Sequence, residues 1–326
     1  FFGAHFGWGH AWSYDWKGDK HLPTAPSSGP LFEGSGAGII YCNVPSYPEK
    51  YRNIFLINDW LNRETYIFKP EWKGAWRFSE VSKLIPVASA GTGRSMPLSK
   101  GRSFDPVDIE IGPDKAVWIS SWGRQYGAHY ENGKLANEGR IYRIWPKKIS
   151  PKNNTNKHRL KNIKQWSLNE LMADLGSHLP VWRTNAQEEL IKRGHQTLDL
   201  LQTTLEKDSK NKSLETWTAW TIGRIKKSHE LSEKNLNQKI QSIRIQTHNK
   251  IINPDFHKYF NHPNARIRHE AVMAIRQLKK SEYVGRLKNL GKIEKDRIVF
   301  YSIWGALMDL CSDDDLKNMV NEEAPG

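Results

Sequence analysis

Cysteine is almost missing: Cys42 and Cys311 are the two in 326 residues. That excludes a disulfide framework, and two thiols so far apart read as buried free thiols. No Cys-x-x-Cys-His occurs, so the chain has no motif for attaching a c-type haem. No run of about 18 apolar residues occurs either, so no membrane-spanning helix is expected. Acidic residues are in the minority, 35 Asp and Glu against 49 Lys and Arg, giving a net charge of +14. A nucleic-acid reading of that excess lacks any recognisable motif. Lys152, Lys157, Arg159, Lys161 and Lys164 instead fall in one linker without an acidic residue among them, and the remaining excess is spread along the helices. The charge reads as a solvated basic surface, able to draw an acidic partner or an anionic surface at low salt. The chain opens on Phe1 inside loop-and-strand sequence and reads as a piece of a longer protein.

What is present centres on residues 104–145. Val107, Ile109 and Ile111 alternate with Asp108 and Glu110, the period of a half-buried strand. Gly112-Pro113-Asp114 is a turn, and Ala116 to Ser120 carries the chain back. A long loop from Trp122 to Glu138 precedes a third strand, Arg140 to Trp145. Upstream, Ile39 to Cys42, Asn53 to Trp60, Thr65 to Lys69 and Ala75 to Ser79 read as strands of an earlier unit. Asp59-Trp60 there parallels Ser121-Trp122. Short sheets with free edges predict repetition around a centre, the arrangement of a β-propeller.

Phe-Asp-Pro-Val-Asp-Ile-Glu-Ile-Gly-Pro-Asp at 104–114, followed by Gly-Arg-Ile-Tyr-Arg-Ile at 139–144, resembles the last blade of glucose/sorbosone-dehydrogenase-like propellers. It is most similar to a bacterial family described as membrane-bound dehydrogenases, in which a propeller runs into HEAT-type repeats and often a c-type cytochrome domain. The turn Tyr47-Pro48-Glu49-Lys50-Tyr51-Arg52-Asn53 resembles one of that family, and Gly127-Ala128-His129 resembles its Gly-His loop. Glu138 stands where the family commonly has His. The resemblance implies a β plus α multidomain fold. Residues 1–146 would be the C-terminal blades of a β-propeller, 147–165 a basic linker, and 166–326 an α-solenoid of HEAT-like repeats. It further implies an exported, periplasmic location and oxidation of a sugar or alcohol, with pyrroloquinoline quinone (PQQ) and calcium as cofactors. The alternative is a non-catalytic propeller–solenoid adaptor that binds carbohydrate or protein.

Quinoprotein chemistry needs a base near the substrate hydroxyl and a cation to hold the quinone. In this sequence His10, Asp108 and His129 are the catalytic candidates, and His5, Asp59 and Arg94 the cofactor-binding ones. His5, His10, Asp15 and Asp19 crowd a Gly- and aromatic-rich opening, either as ligands or as a polar loop bonding its own backbone. Their spacing matches no standard zinc or calcium pattern, so no metal is assigned. Ala90-Gly91-Thr92-Gly93-Arg94-Ser95 lacks the Gly-Lys-Ser/Thr of a phosphate loop and reads as a linker.

From Trp166 onward the period changes to that of helices. Ser167 with Glu170 is a capping box, and Leu168, Leu171, Met172 and Leu175 share a face. Helices are predicted over residues 180–192, 195–205, 214–225, 240–247, 254–261, 263–278, 283–290 and 296–310. Trp182-Arg183-x-x-Ala186-x-x-x-Leu190 lines up with Ile267-Arg268-x-x-Ala271-x-x-x-Ile275, with Leu179-Pro180 and His262-Pro263 before them. In such a repeat the Ala lets helices approach and the Arg faces the neighbouring repeat. The helical histidines show no ligand spacing. A protein partner is expected on the helical repeats, and nucleic acid is not.

Overall fold

The computed structural model describes residues 36–59, 64–69, 71–78, 81–83, 105–121, 130–135, 139–146, 156–207, 211–227, 233–251 and 256–323. Strands β1 (Gly36–Cys42), β2 (Ile54–Asp59), β3 (Glu64–Phe68), β4 (Glu71–Lys73), β5 (Trp76–Phe78) and β6 (Val81–Lys83) come first. They make a four-stranded antiparallel sheet in the order β1-β2-β3-β6, with β4 and β5 as a separate hairpin. Then β7 (Pro106–Ile111), β8 (Val117–Ser121), a small hairpin of β9 (Tyr130–Glu131) and β10 (Lys134–Leu135), and β11 (Arg140–Ile144) follow. Strands β11, β8 and β7 form a three-stranded antiparallel sheet in that order.

Period-2 alternation explains both sheets. Ile54 and Leu56 are buried while Phe55 and Ile57 are half-buried, and Ile109, Ile111, Val117 and Ile119 are buried on the other sheet. These residues, with Ile40, Cys42, Val44 and Tyr47, form one shared apolar core. Burial raises the Cys42 thiol to about 11, so it stays protonated. The turn after β7 is fixed by Asp114, which accepts from Ala116 N–H at 3.1 Å and Trp118 Nε1 at 3.1 Å. Lys115 takes the left-handed backbone, φ 69°, and its carbonyl accepts from Tyr47 in the loop between β1 and β2.

Propeller blades do not assemble as expected. Among the described residues there are two small sheets and two two-residue-to-three-residue hairpins, with no ring. Alternation specifies a strand and the face it buries, but ring closure needs non-local partners that a period of two does not encode. Here helical residues, Leu179 and Trp182, join the core that the two sheets share.

Nine helices are described: α1 (Leu168–Leu175), α2 (Pro180–Arg193), α3 (Leu198–Glu206), α4 (Lys212–Lys226), α5 (Leu236–His248), α6 (Ala265–Gln277), α7 (Val284–Ile293), α8 (Arg297–Leu310) and α9 (Asp313–Glu323). The capping box of Ser167 and Glu170 opens α1 as the sequence predicts. Pro180 starts α2, and Gly194, at φ 68°, ends it. Residues 254–261, predicted as a helix, form a 3-10 turn over Phe256–Asn261. The acid-rich α9 lies beyond the last helix expected from the sequence, which ends at residue 310. Side-chain caps come from Asn211 on α4, Asn235 on α5, Asn264 on α6 and Asp296 on α8. Successive helices from α4 to α6 pack on one another, and α6 packs on α8.

Two ties join strands to helices. Ala75, in the β4–β5 turn, belongs to the core of α5 to α8, and its N–H donates to Asp296 Oδ2 at 2.9 Å. Arg266 of α6 lies 3.8 Å from the centre of the Trp72 ring. A separate contact, between the 3-10 turn at Lys157–Leu160 and α1, corrects the reading of residues 147–165 as a solvated basic linker. Arg159 is not surface charge: its side chain is 9% exposed and forms a two-point ion pair with Asp174 of α1. His158 Nε2 meets the same carboxylate at 2.8 Å. Trp182 packs against the Arg159 guanidinium, 4.8 Å from its ring centre.

Candidate functional site

The strand ends carry the expected catalytic region. Asp59 pairs with Glu64 across β2 and β3, and Asn58 with Thr65. Asn58, Asp59, Glu64 and Thr65 are all buried, as are Asp105 and Ser121 at the ends of β7 and β8. Thr65 Oγ1 donates to Asn58 Oδ1 at 2.8 Å. Asn58 Nδ2 then reaches the other sheet, donating to the Asp108 carbonyl at 3.0 Å. Asp105 N–H donates to Ser121 Oγ at 2.9 Å. A buried polar group held this way fixes sheet against sheet.

Of the six residues singled out from sequence, Asp59 and Asp108 fall here. His5, His10, Arg94 and His129 lie outside the described residues. The structure does not make a shared carboxylate site of Asp59 and Asp108. Asp59 is buried at the end of β2. Asp108 is exposed, and its Oδ1 accepts from the next backbone N–H, Ile109, at 2.9 Å. Among the described residues no three His, Cys, Asp or Glu side chains come together to hold a metal ion. Asp59 and Asp108 do not by themselves make a calcium and PQQ site, and the other four candidates lie outside the described residues.

Helices α6 and α8 hold a serine–histidine pair, His269 Nδ1 to Ser302 Oγ at 2.7 Å. The Ser302 proton goes to the Ile298 carbonyl, 2.7 Å away, so Nδ1 carries hydrogen and donates. Ser302 is fully buried, so the pair joins two helices and meets no substrate. Burial is the first cause holding His269, His178 and His262 below the ordinary 6.5. A depressed histidine is bound neutral by the fold. Its contribution is present above the unfolded value and is lost as pH falls through the folded one. The urea midpoint is therefore expected to hold above about pH 7 and to fall toward about pH 5, less steeply in His269→Gln. A midpoint flat over that range would contradict the assignment.

Two further features bear on binding, and neither is given that role by the sequence. The first is Arg183 on α2. Its Nη1 donates to the Ser177 carbonyl at 2.9 Å, and its guanidinium lies 5.3 Å from the centre of the Trp217 ring of α4. Among the described residues it has no carboxylate partner, and its Nε is buried without an acceptor. Tyr41 of β1 is near enough to act on its charge. Arg183 in turn adds to burial in lowering His178.

The second is α8. Ile298, Val299, Ser302, Ile303, Ala306 and Leu307 are buried, as the spacing of an amphipathic helix requires. Yet Phe300, Trp304 and Met308, at i, i+4 and i+8 on the opposite side, are 44%, 46% and 47% exposed. The exposed Ile293, Lys292 and Lys295 stand just before that helix. Asp309, in the last turn of α8, and the acidic first turn of α9 stand at its other end.

Comparison with family models, with curated proteins and with solved structures finds no match.

Proposed function

We propose that this chain is a non-catalytic binding module and that α8 seats an amphipathic helix of a protein partner. The supporting observation is the stripe of Phe300, Trp304 and Met308, three large apolar side chains nearly half in solvent on one helix face. The order of the helices supports a helical occupant. Helix α5 is packed between α4 and α6, and α6 between α5 and α8, whereas α8 is packed by α6 and α7 on its buried side. The free face is where a further helix of the row would lie, and an i, i+4, i+8 stripe is the usual seat for one. Exposed Lys292 and Lys295 at one end, in a chain of net charge +14, favour acidic residues on the partner. Asp309 and Asp313 to Asp315 at the other end oppose an anionic lipid surface.

Oxidation of a sugar or alcohol, the other reading, has no assembled base and cation among the described residues to support it.

The probe is a labelled synthetic peptide with Leu at i, i+4 and i+8 and Glu elsewhere, followed by fluorescence anisotropy. Saturable binding is expected, weakened about tenfold or more by Trp304→Asp. Equal binding by Trp304→Asp, equal binding of a Leu→Ser peptide, or preference for phosphatidylserine vesicles would each overturn the proposal. So would a dimer in sedimentation that Trp304→Asp dissolves, because the stripe would then serve self-association.

A further inference from the structure

Arg183 and Arg268 occupy the same place in two copies of one local unit. Each is the fourth residue after its helix N-cap, Leu179 for α2 and Asn264 for α6. Each donates from Nη1 to the carbonyl six residues back, Ser177 at 2.9 Å and His262 at 2.7 Å. The following helices correspond as well. Asn211 caps α4 and Asp296 caps α8, each accepting from the backbone N–H groups two and three residues on.

In the C-terminal copy the fork of Arg268 is filled. Its Nε and Nη2 each donate to Glu294 at 2.7 Å, and Glu294 stands two residues before the cap Asp296. The residue two before Asn211 is Ser209, which has no carboxylate. Arg183 keeps the same anchoring to a backbone carbonyl while its Nε is left without an acceptor. A buried N–H with no acceptor is costly and seldom kept without a reason.

We propose that the Nε edge of Arg183 is a carboxylate-binding site, filled by an acidic side chain of a partner in the way Glu294 fills Arg268. The chain itself shows which anion suits this fork: a planar carboxylate taken at two points, the geometry a guanidinium matches best. Trp217 borders the site, and His178 and Tyr41 are near enough for their charges to act on Arg183 or feel it. As the side chain stands, Nε is closed off from solvent. The half-exposed Arg183 must rotate about its terminal torsions to present the fork. His178 supplies an independent readout. The positive charge of Arg183 helps hold it below 6.5, so an anion on the guanidinium should raise its titration midpoint. The site lies on α2 and stands whether or not α8 seats a partner helix.

The test is a titration of arginine-labelled protein with an acetylated tetraglutamate peptide, reading the Nε–H signals by NMR. The expected result is a saturable shift of the Arg183 signal, assigned by its loss in Arg183→Lys, with the Arg268 signal unmoved. The His178 midpoint should rise with it. Ser209→Glu, which puts a carboxylate two residues before the cap Asn211, the sequence position that Glu294 holds before Asp296, should shift the Arg183 signal without peptide and weaken peptide binding at least tenfold. That variant leaves Arg183 in place, so the outcome does not depend on Arg183→Lys folding well. An Arg183 signal that stays still at millimolar peptide, or moves no more than that of the exposed Arg140, would overturn the proposal. A larger response to inorganic phosphate than to peptide would overturn the carboxylate assignment.

Discussion

Asp174→Ala is expected to lower the stability of the fold by about 3–5 kcal/mol, the usual effect of removing one partner of a buried ion pair. Asp174 is 1% exposed and accepts from both Arg159 and His158. Without it, a guanidinium whose side chain is 9% exposed would be left against Trp182 with no counter-charge. The loss comes mainly from that stranded charge and less from the value of the pair itself. Asp174→Asn keeps the shape and one acceptor, so it should lose less. Asp314→Ala is the contrast. Its pair with Lys317 is on the surface, with Asp314 90% exposed, and such pairs are worth about 0–1 kcal/mol. Urea midpoints of the three variants at neutral pH measure this, and an Asp174→Ala midpoint equal to that of Asp314→Ala would contradict the account.

The second large effect is expected at Gly38. A Cβ there would stand 2.7 Å from Asp108 Cα, 2.7 Å from Ile109 N and 2.9 Å from Asp108 C. All three atoms are backbone of β7, so no side chain can turn aside and the strand itself must move. Movement of β7 would open the core that Ile40 and Ile109 share and strain the Asn58 bond to the Asp108 carbonyl. Gly38→Ala should therefore cost about 1–3 kcal/mol, as overpacking does, or more because the yielding part is a strand. Gly285, in α7, is the control: nothing lies within 4 Å of the added carbon. Gly285→Ala should stabilise by about 0.4–1 kcal/mol through the unfolded chain. Thermal melts of both variants decide it, and a neutral Gly38→Ala would mean that the two sheets do not approach this closely.

What could be read in advance follows from the range of the signal. Strand alternation at Val107 to Ile111 and the Ser167–Glu170 capping box are local, and both appear in the structure. The propeller was inferred from sheet edges that needed covering, and the sequence does not say what covers them. In the structure, Leu179 and Trp182 of the helical part contribute. Arg159 looked like linker charge because its acid, Asp174, lies 15 residues on, beyond any local pattern. Asp59 and Asp108 looked equivalent as strand-end acids, yet one is buried and the other bonds its own neighbour's N–H. The Arg183 fork was within reach, because the alignment of Trp182-Arg183 with Ile267-Arg268 was already visible. Glu294 and Ser209 lie outside the aligned stretch. The α8 stripe was harder, since Phe300, Trp304 and Met308 have the composition of a core, and only packing shows which face stays bare.

The most direct measurement of the binding role is an indole N–H spectrum of tryptophan-labelled protein, titrated with the Leu–Glu amphipathic peptide. The account predicts that the Trp304 signal shifts to saturation while those of Trp166, in the core of the preceding helices, and Trp220, packed against it, stay in place. A Trp304 signal unmoved by the peptide, or indole signals that all drift together, would contradict it.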